Sequence, residues 1–352
     1  MKIAILGPIT TKKYYGGVAV FDEEIATGFS ENGWETVLIT DQKEAEENKN
    51  GIPIRIVNIF TAKKVIKKEK PDVVLASLKY AMYWKNCGKN MVKVYFLHGF
   101  FNRSYYGKIK SEIGSWVQRL FTRKSNYVFA NSFFTKMIND QFFGIKTDKV
   151  FHLGVTSEYS NTIRDKNIKK EKNTFLYVGR LVQAKGVGYI VEAMKLLQDK
   201  GIYYKTYIAG DGDDMIELKK YVNDYKLNIH FLGRISQKEL VTYYEKSEIF
   251  ISMNSSEPFG IVFPEAILAK CKIICPYTGG QVEYLVDYKN RISFVDEKSP
   301  KSIAEGAIKL LNQSSIENRE NKNEDKLYKD FDYINVAKRM ISFLEENSDE
   351  KK

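Results

Sequence analysis

Glu257 and Glu265 stand eight residues apart in the stretch SEPFGIVFPEA, residues 256–266. Phe259-Gly260 between them reads as a turn, and Pro264 opens the apolar run Ala266–Ala269. This predicts a loop entering a helix, with Pro264 at the first helical position. One carboxylate would lie beside a glycine turn and the other in a helix's first turn. A carboxylate there can accept two hydrogen bonds from a vicinal diol, and the turn's bare amides can donate to oxygens above the helix start. A second set of groups lies in VGRLVQAKG, residues 178–186. A strand ends, Arg180 and Lys185 follow five residues apart, and a helix begins near Gly186-Val187. Cations beside a helix start suit an anion, above all a diphosphate. A solvated loop with incidental charges is the plain alternative.

Weaker signals share one placement. Gly210 and Gly212 in IAGDG would let backbone approach a ligand, or form a plain turn. Arg234 follows a strand that ends FLG, and Thr278-Gly279-Gly280 follows another. In the first half, Gly16-Gly17 separates the first strand from the first helix, and His98 follows a strand. Each falls at the carboxyl end of a predicted strand.

The elements that must position these groups alternate along the chain. Lys2–Gly7, Glu35–Thr40, Asp72–Ala76, Val92–Leu97 and Asn126–Ala130 read as strands, with helices over Val18–Glu31 and Phe133–Phe142. A second series follows at Phe175–Gly179, Lys205–Gly210, Ile229–Gly233, Ile249–Met253 and Lys272–Pro276. The expectation is α/β: two Rossmann-like domains facing across a cleft, over 1–158 and 174–330. A polar linker over 159–173 joins them, and a C-terminal helix over 331–347 packs back toward the first domain. Residues 312–326 read as polar and exposed.

The 352 residues suit two domains. Three cysteines without a CxxC pair and only three histidines argue against structural zinc and for a reducing compartment. The N-terminus enters a strand directly, and no apolar run reaches the roughly 18 residues a spanning helix needs. The expected location is cytoplasmic. Residues 1–160 hold 24 Lys and Arg against 15 Asp and Glu, whereas 161–352 hold 31 against 29. The basic half calls for an acidic partner: anionic lipid, a phosphate-bearing acceptor or nucleic acid.

The order and spacing of these motifs, strongest over 175–290, resemble the retaining glycosyltransferases of the GT-B fold, family 4. The resemblance covers nearly the whole chain. It implies transfer of a sugar from a nucleotide-diphosphate donor, a UDP-sugar favoured, to a lipid-linked or glycan acceptor in cell-surface polysaccharide or glycan synthesis. It makes Glu257 and Glu265 the E-x7-E pair, one beside the transferred sugar and one on the nucleotide ribose. It assigns Arg180 and Lys185 to the diphosphate and His98 to the donor sugar or acceptor hydroxyl. Donor contacts are implied for Gly16, Gly17, Gly210, Gly212, Arg234, Thr278 and Gly279 and for the backbone of Phe259, Gly260 and Ile261. The one formal DxD, at 211–213, falls in the glycine turn, so no metal or other cofactor is expected and transfer is read as metal-independent.

Residues 100–124 carry six Lys and Arg against the single Glu112, among them Arg103, Lys108, Lys110, Arg119 and Arg123. Phe100, Phe101, Tyr105, Tyr106, Trp116 and Phe121 are interleaved. Such a segment can lie on an anionic leaflet, giving a peripheral protein on the inner membrane face. The plain alternative is a helix with a core-facing apolar side and a solvated basic side. Nucleic acid is disfavoured. A sugar-nucleotide epimerase or phosphorylase of the same fold, or a noncatalytic glycan-binding protein, is the competing function. No GxGxxG follows the first strand, against a dinucleotide oxidoreductase.

Overall fold

A computed structural model describes residues 1–11, 14, 16–163, 168–313, 326 and 328–347. The chain divides into two compact units, Met1–Ser157 with Lys329–Lys352, and Glu158–Tyr328.

In the first unit the strands are β1 (Lys2–Leu6), β2 (Glu35–Thr40), β3 (Asn48–Lys49), β4 (Ile52–Ile56), β5 (Val73–Ser77), β6 (Val92–Leu97), β7 (Tyr127–Ala130) and β8 (Lys149–Val150). Their order is β3-β4-β2-β1-β5-β6-β7-β8. Only the β3–β4 pair is antiparallel. The chain winds outward from β1 to one side through β2, then restarts on the other with β5. The order therefore reverses between β1 and β5, where open α/β sheets bind ligands at the strands' carboxyl ends. β1 and β5 are almost wholly buried apolar runs, as parallel strands covered on both faces should be. The last helix, Tyr333–Glu346, belongs to this unit. It lies on the helix Gly17–Glu31, whose Gly28 has no room for a side chain against the Tyr333 carbonyl. Its Phe343 ring meets Phe129 edge-on at 5.3 Å.

In the second unit β9 (Glu171–Val178), β10 (Lys205–Ala209), β11 (Ile229–Gly233), β12 (Ser247–Ile251), β13 (Lys272–Pro276) and β14 (Ile292–Val295) form a parallel sheet in the order β11-β10-β9-β12-β13-β14. Here the reversal lies between β9 and β12.

Three expectations are corrected. The stretch 159–173 is not a bare linker: a helix, Ser157–Ile163, occupies its start and β9 begins at Glu171. Tyr159 and Ile163, one helical turn apart, are buried and anchor that helix within its polar surroundings. The helix after Gly260 runs Val262–Leu268, so Pro264 is its third residue; the first-turn amides have no intrahelical partner, and proline is tolerated there as well. β4 and β14 escaped the sequence reading; both are short, and β4 carries a proline. The segment 312–326 lies almost entirely outside the described residues.

Candidate active site

The loops after β9 and β12 meet at the second unit's reversal point. After β9, Gly179 takes φ +156°, and Leu181, fully buried, pins the loop. A short turn, Gln183–Lys185, follows, closed by Gly186 at φ +67°. A side-chain carbon on Gly186 would lie 2.8 Å from Met253 Cβ, so this loop must press bare backbone against the end of β12. The helix Val187–Asp199 then begins. Lys185 Nζ thereby reaches Glu257 Oε2 at 2.9 Å, and Asn254 Nδ2 donates to the same oxygen at 2.5 Å. Arg180 is exposed on the same loop.

The two glutamates have opposite electrostatics. Burial opposes ionisation of Glu257, but the Lys185 ammonium, the Asn254 amide and the field of Arg180 outweigh it. Its carboxyl is held below the usual range. Glu265 is only 5% exposed, and among the described residues no cation shifts its ionisation. Tyr244 Oη donates to Oε2 at 2.9 Å and Gln237 Nε2 to Oε1 at 3.0 Å. These bonds favour the carboxylate, yet burial dominates and lifts the group to about 7. Each oxygen of Glu265 retains acceptor capacity beyond its one protein donor.

The turn between the glutamates is rigidly specified. Gly260 sits at φ +80°, and a side-chain carbon there would lie 2.6 Å from the Phe263 ring. Phe259 is wholly buried against Tyr284, whose hydroxyl lies 2.9 and 3.1 Å from the Phe259 and Gly260 carbonyls and shares its one hydrogen between them. Only the backbone of Phe259 is left to meet a ligand, and with Ile261 it leads into the helix start. Gly280 N donates to the Glu257 carbonyl at 2.8 Å, which brings the exposed Thr278 and the turn at Gly279 (φ +97°) beside the glutamate loop.

Gly210 and Gly212 bring one loop of the protein against another. A side chain on Gly210 would collide with the Gly179 carbonyl, and one on Gly212 with the Leu181 carbonyl. Leu181 N donates to the Asp211 carbonyl and Asp214 N to the Leu181 carbonyl, each at 3.0 Å. These glycines let two loops of the protein pack together, so the loop after β9 is held from behind. Arg234 is largely exposed, 3.6 Å from Asp211.

The first unit presents its own groups at its reversal point. Gly16 precedes the helix Gly17–Glu31, and Gly17 is exposed with open space where a side chain would project. Its neighbour Tyr15 lies outside the described residues. His98, one residue past β6, is partly exposed, with Nε2 2.9 Å from Ser77 Oγ. Ser77 in turn donates to Asp22 Oδ1 at 3.2 Å. Burial pushes the imidazole down to about 3, so it is neutral at ordinary pH.

The helix Lys108–Thr122 fits the plain alternative only in part: Phe121 packs against the first unit's core, and Val117 and Leu120 are half-buried. Its buried residues are Ser111, Ser115, Gln118 and Thr122, while Ile109, Ile113 and Trp116 are 58–72% exposed. Lys108, Lys110 and Arg123 are exposed. Two cations are spoken for: Arg103 pairs with Glu112 at 3.1 Å, and Arg119, half-buried, donates to the Phe143 carbonyl at 2.8 Å. Arg119 is therefore a structural tie to the end of the helix Phe133–Phe142 and leaves the basic surface set.

The family descriptions Glycosyltransferase Family 4 and Glycosyl transferases group 1 match residues 15–155 and 159–327. The chain belongs to glycosyltransferase family 4. An uncharacterized glycosyltransferase of Methanocaldococcus jannaschii is 30% identical over 193 residues, 53% of this chain and 48% of that protein. The alpha-monoglucosyldiacylglycerol synthase of Acholeplasma laidlawii is 29% identical over 160 residues, 43% of this chain and 39% of that one. The chain thus matches about half or less of these relatives' lengths. The structure of Anabaena Alr3699/HepE in complex with UDP and glucose matches with TM-score 0.73 at 16% identity, over 98% of this chain and 99% of that one. The architecture is GT-B. The sequence alone did not reveal Asn254, Gln237 and Tyr244, which hold the two glutamates, or Asp22 and Ser77 behind His98. Asn254 alone had a local signal, three residues before Glu257 at a strand end. Among the described residues no helix is long and apolar enough to cross a membrane, and no cluster of three metal-ligating side chains occurs.

Proposed function

We propose that the enzyme moves a hexosyl group from a nucleotide-diphosphate sugar, a UDP-sugar favoured, to a lipid-linked or glycan acceptor with retention of configuration. The observation that carries this reading is the Arg180–Lys185–Glu257 group at the reversal point, with Glu265 in the next helix. As the anomeric bond breaks, charge develops on the departing diphosphate. Arg180 and Lys185 are preplaced cations for it, and no metal is required for that task. The helix Val262–Leu268 is only seven residues long, so its dipole contributes little beside them. Glu257, ionised and fixed by Lys185 and Asn254, accepts hydroxyl hydrogens of the transferred sugar, with the amides of Gly260 and Ile261 beside it. Glu265 accepts from the ribose diol. Gly17, without a side chain at a helix start, suits phosphate oxygens, and His98 serves the sugar or acceptor hydroxyl as a neutral hydrogen-bonding group. HepE's complex with UDP supports the choice of nucleotide.

The acceptor side rests on the helix Lys108–Thr122. Ile109, Ile113 and Trp116 lie one turn apart on one face, with Lys108 and Lys110 flanking it. An apolar stripe edged by cations suits the boundary of an anionic leaflet, and a relative named for a diacylglycerol product fits a lipid-linked acceptor at a membrane.

A screen of nucleotide sugars for released nucleotide diphosphate, with and without membrane extract and in excess chelator, tests the reading. Glu257→Ala should abolish release while leaving affinity for the free nucleotide diphosphate within about twofold, whereas Glu265→Ala should weaken that affinity. Equal losses of affinity in both variants would overturn the assignment, and activity lost to chelator and restored by magnesium would overturn metal independence.

A further inference from the structure

Asp22 is wholly buried on the helix Gly17–Glu31, and its Oδ2 has no hydrogen-bond partner. A buried carboxyl with an orphaned oxygen is costly and calls for a reason. The chain makes room for it: Gly7, just past β1, could carry no side chain without overlapping Asp22 Oδ2. Its other oxygen accepts from Ser77 at the end of β5, and Ser77 lies 2.9 Å from His98 Nε2. These groups converge where the first unit's strand order reverses. The His98 ring is held by Phe21 and Phe96, at centroid distances of 4.7 and 4.8 Å. Its Nδ1 has no hydrogen-bond partner among the described residues.

A hydroxyl donates one hydrogen. A proton on Asp22 Oδ1 would reverse the chain; as long as that oxygen carries none, Ser77 gives its own hydrogen to it. Toward His98 it then offers a lone pair, so Nε2 must bear the ring hydrogen and Nδ1 is left as the acceptor. We propose that Asp22 is a positioning residue for sugar transfer: acting through Ser77, it fixes His98 as the Nε2–H tautomer and so presents Nδ1 as a hydrogen-bond acceptor for a substrate hydroxyl. The substrate part rests on the role given to His98 above; the tautomer part does not.

Nitrogen-15 NMR of histidine-labelled protein reads the tautomer directly, and with three histidines His98 is assigned through His98→Gln. Wild type should show His98 as a single neutral Nε2–H species. Asp22→Ala and Ser77→Ala should each turn it into a mixture. Asp22→Ala should lower kcat about tenfold, the low end for outer-layer partners of a working side chain, with donor KM within about twofold. Combined with His98→Ala it should cause no further fall. An Nδ1–H species in wild type, an unchanged tautomer in both variants, or an equal tenfold cost in the absence of His98 would overturn the proposal. Should Asp22→Ala fail to fold, Ser77→Ala carries the same readings. Full turnover in His98→Ala would instead remove His98 from the transfer step, and the NMR would still decide the relay.

Discussion

Replacing Glu265 by glutamine separates the fold's interest from the ligand's. Burial moves this carboxyl from the ordinary 4.5 to about 7. At pH 4 the group is neutral in folded and unfolded chains alike and costs nothing. As pH rises, the unfolded chain releases its proton first, so stability falls between about 4.5 and 7 and stays lower above. The full penalty is on the order of 3 kcal/mol, of which about 2.5 kcal/mol accrues between pH 5 and pH 8. Glutamine has a similar shape and no charge. Its oxygen can accept from Gln237, and its amide can donate to Tyr244 once that hydroxyl rotates. Glu265→Gln should therefore match wild type at pH 4 and gain on it with pH, its lead in melting temperature widening by roughly 5–10 °C between pH 5 and pH 8. Thermal melts of both proteins across that range check it. A gap that does not change with pH, or a variant that melts lower at pH 8, would refute the burial argument. Calorimetry on the same pair adds the functional half. Affinity for UDP should improve with pH relative to the variant, because only the ionised carboxylate can accept from both ribose hydroxyls in addition to Tyr244 and Gln237.

Removing a preplaced cation gives a different signature: Arg180→Ala or Lys185→Ala should lower turnover about 10²–10³-fold with an unchanged far-UV spectrum, and near-normal turnover in both would end the diphosphate assignment. Lys185→Ala also strips Glu257 of its nearest charge, so its carboxyl should titrate higher, visible by carbon-13 NMR. Vesicle co-sedimentation tests the exposed stripe: binding to anionic but not neutral vesicles should weaken as salt shortens the Debye length to roughly 3 Å at 1 M. Lys108→Glu with Lys110→Glu and Arg123→Glu should abolish it, whereas Arg119→Glu should chiefly lower stability, through its bond to Phe143.

The sheets were legible because parallel strands covered on both faces leave nearly unbroken apolar runs, as in Val92–Leu97 and Lys272–Pro276, whose predicted and observed bounds coincide. β4 and β14 were not, because IPIRI is broken by a proline and an arginine and ISFV is buried over only its first half, so neither leaves an unbroken buried apolar run. Glu257, Glu265, Arg180 and Lys185 were legible as residue types on loops at strand ends. What holds them was not: Tyr244 and Gln237 reach Glu265 from a helix some twenty residues upstream, and nothing local marks a tyrosine as a carboxylate's partner. Gly210 and Gly212 show the limit of reading glycine. Sequence says only that backbone comes close to something; the structure says that it is another loop of the protein.

The helix Lys108–Thr122 departs in part from the rule by which cores are predicted, and that departure is informative about function. Burying Ser111, Ser115 and Thr122 is tolerable because nearby carbonyls absorb their hydroxyls: Ser115 donates to the Ser111 carbonyl at 2.6 Å, Thr122 to the Arg119 carbonyl at 3.1 Å, and Ser111 to the Phe101 carbonyl. Phe101 presses on Gly114, where a side chain would collide with its ring. The helix is thus seated by small residues, polar bonds and Phe121 against the core, while Ile109, Ile113 and Trp116 are turned outward. A helix seated for its own stability would do the reverse, since each exposed isoleucine forgoes about 1.5–3 kcal/mol of burial. Single exposed apolar residues are ordinary; three at helical spacing, beside the exposed Lys108 and Lys110, form an apolar stripe edged by cations, the feature on which the proposed lipid contact rests. If that contact is lipid, Ile109→Ser with Ile113→Ser should leave the melting temperature unchanged or raised while vesicle binding falls at least tenfold. A loss of stability in that variant would place the two isoleucines in the fold and return the helix to ordinary packing.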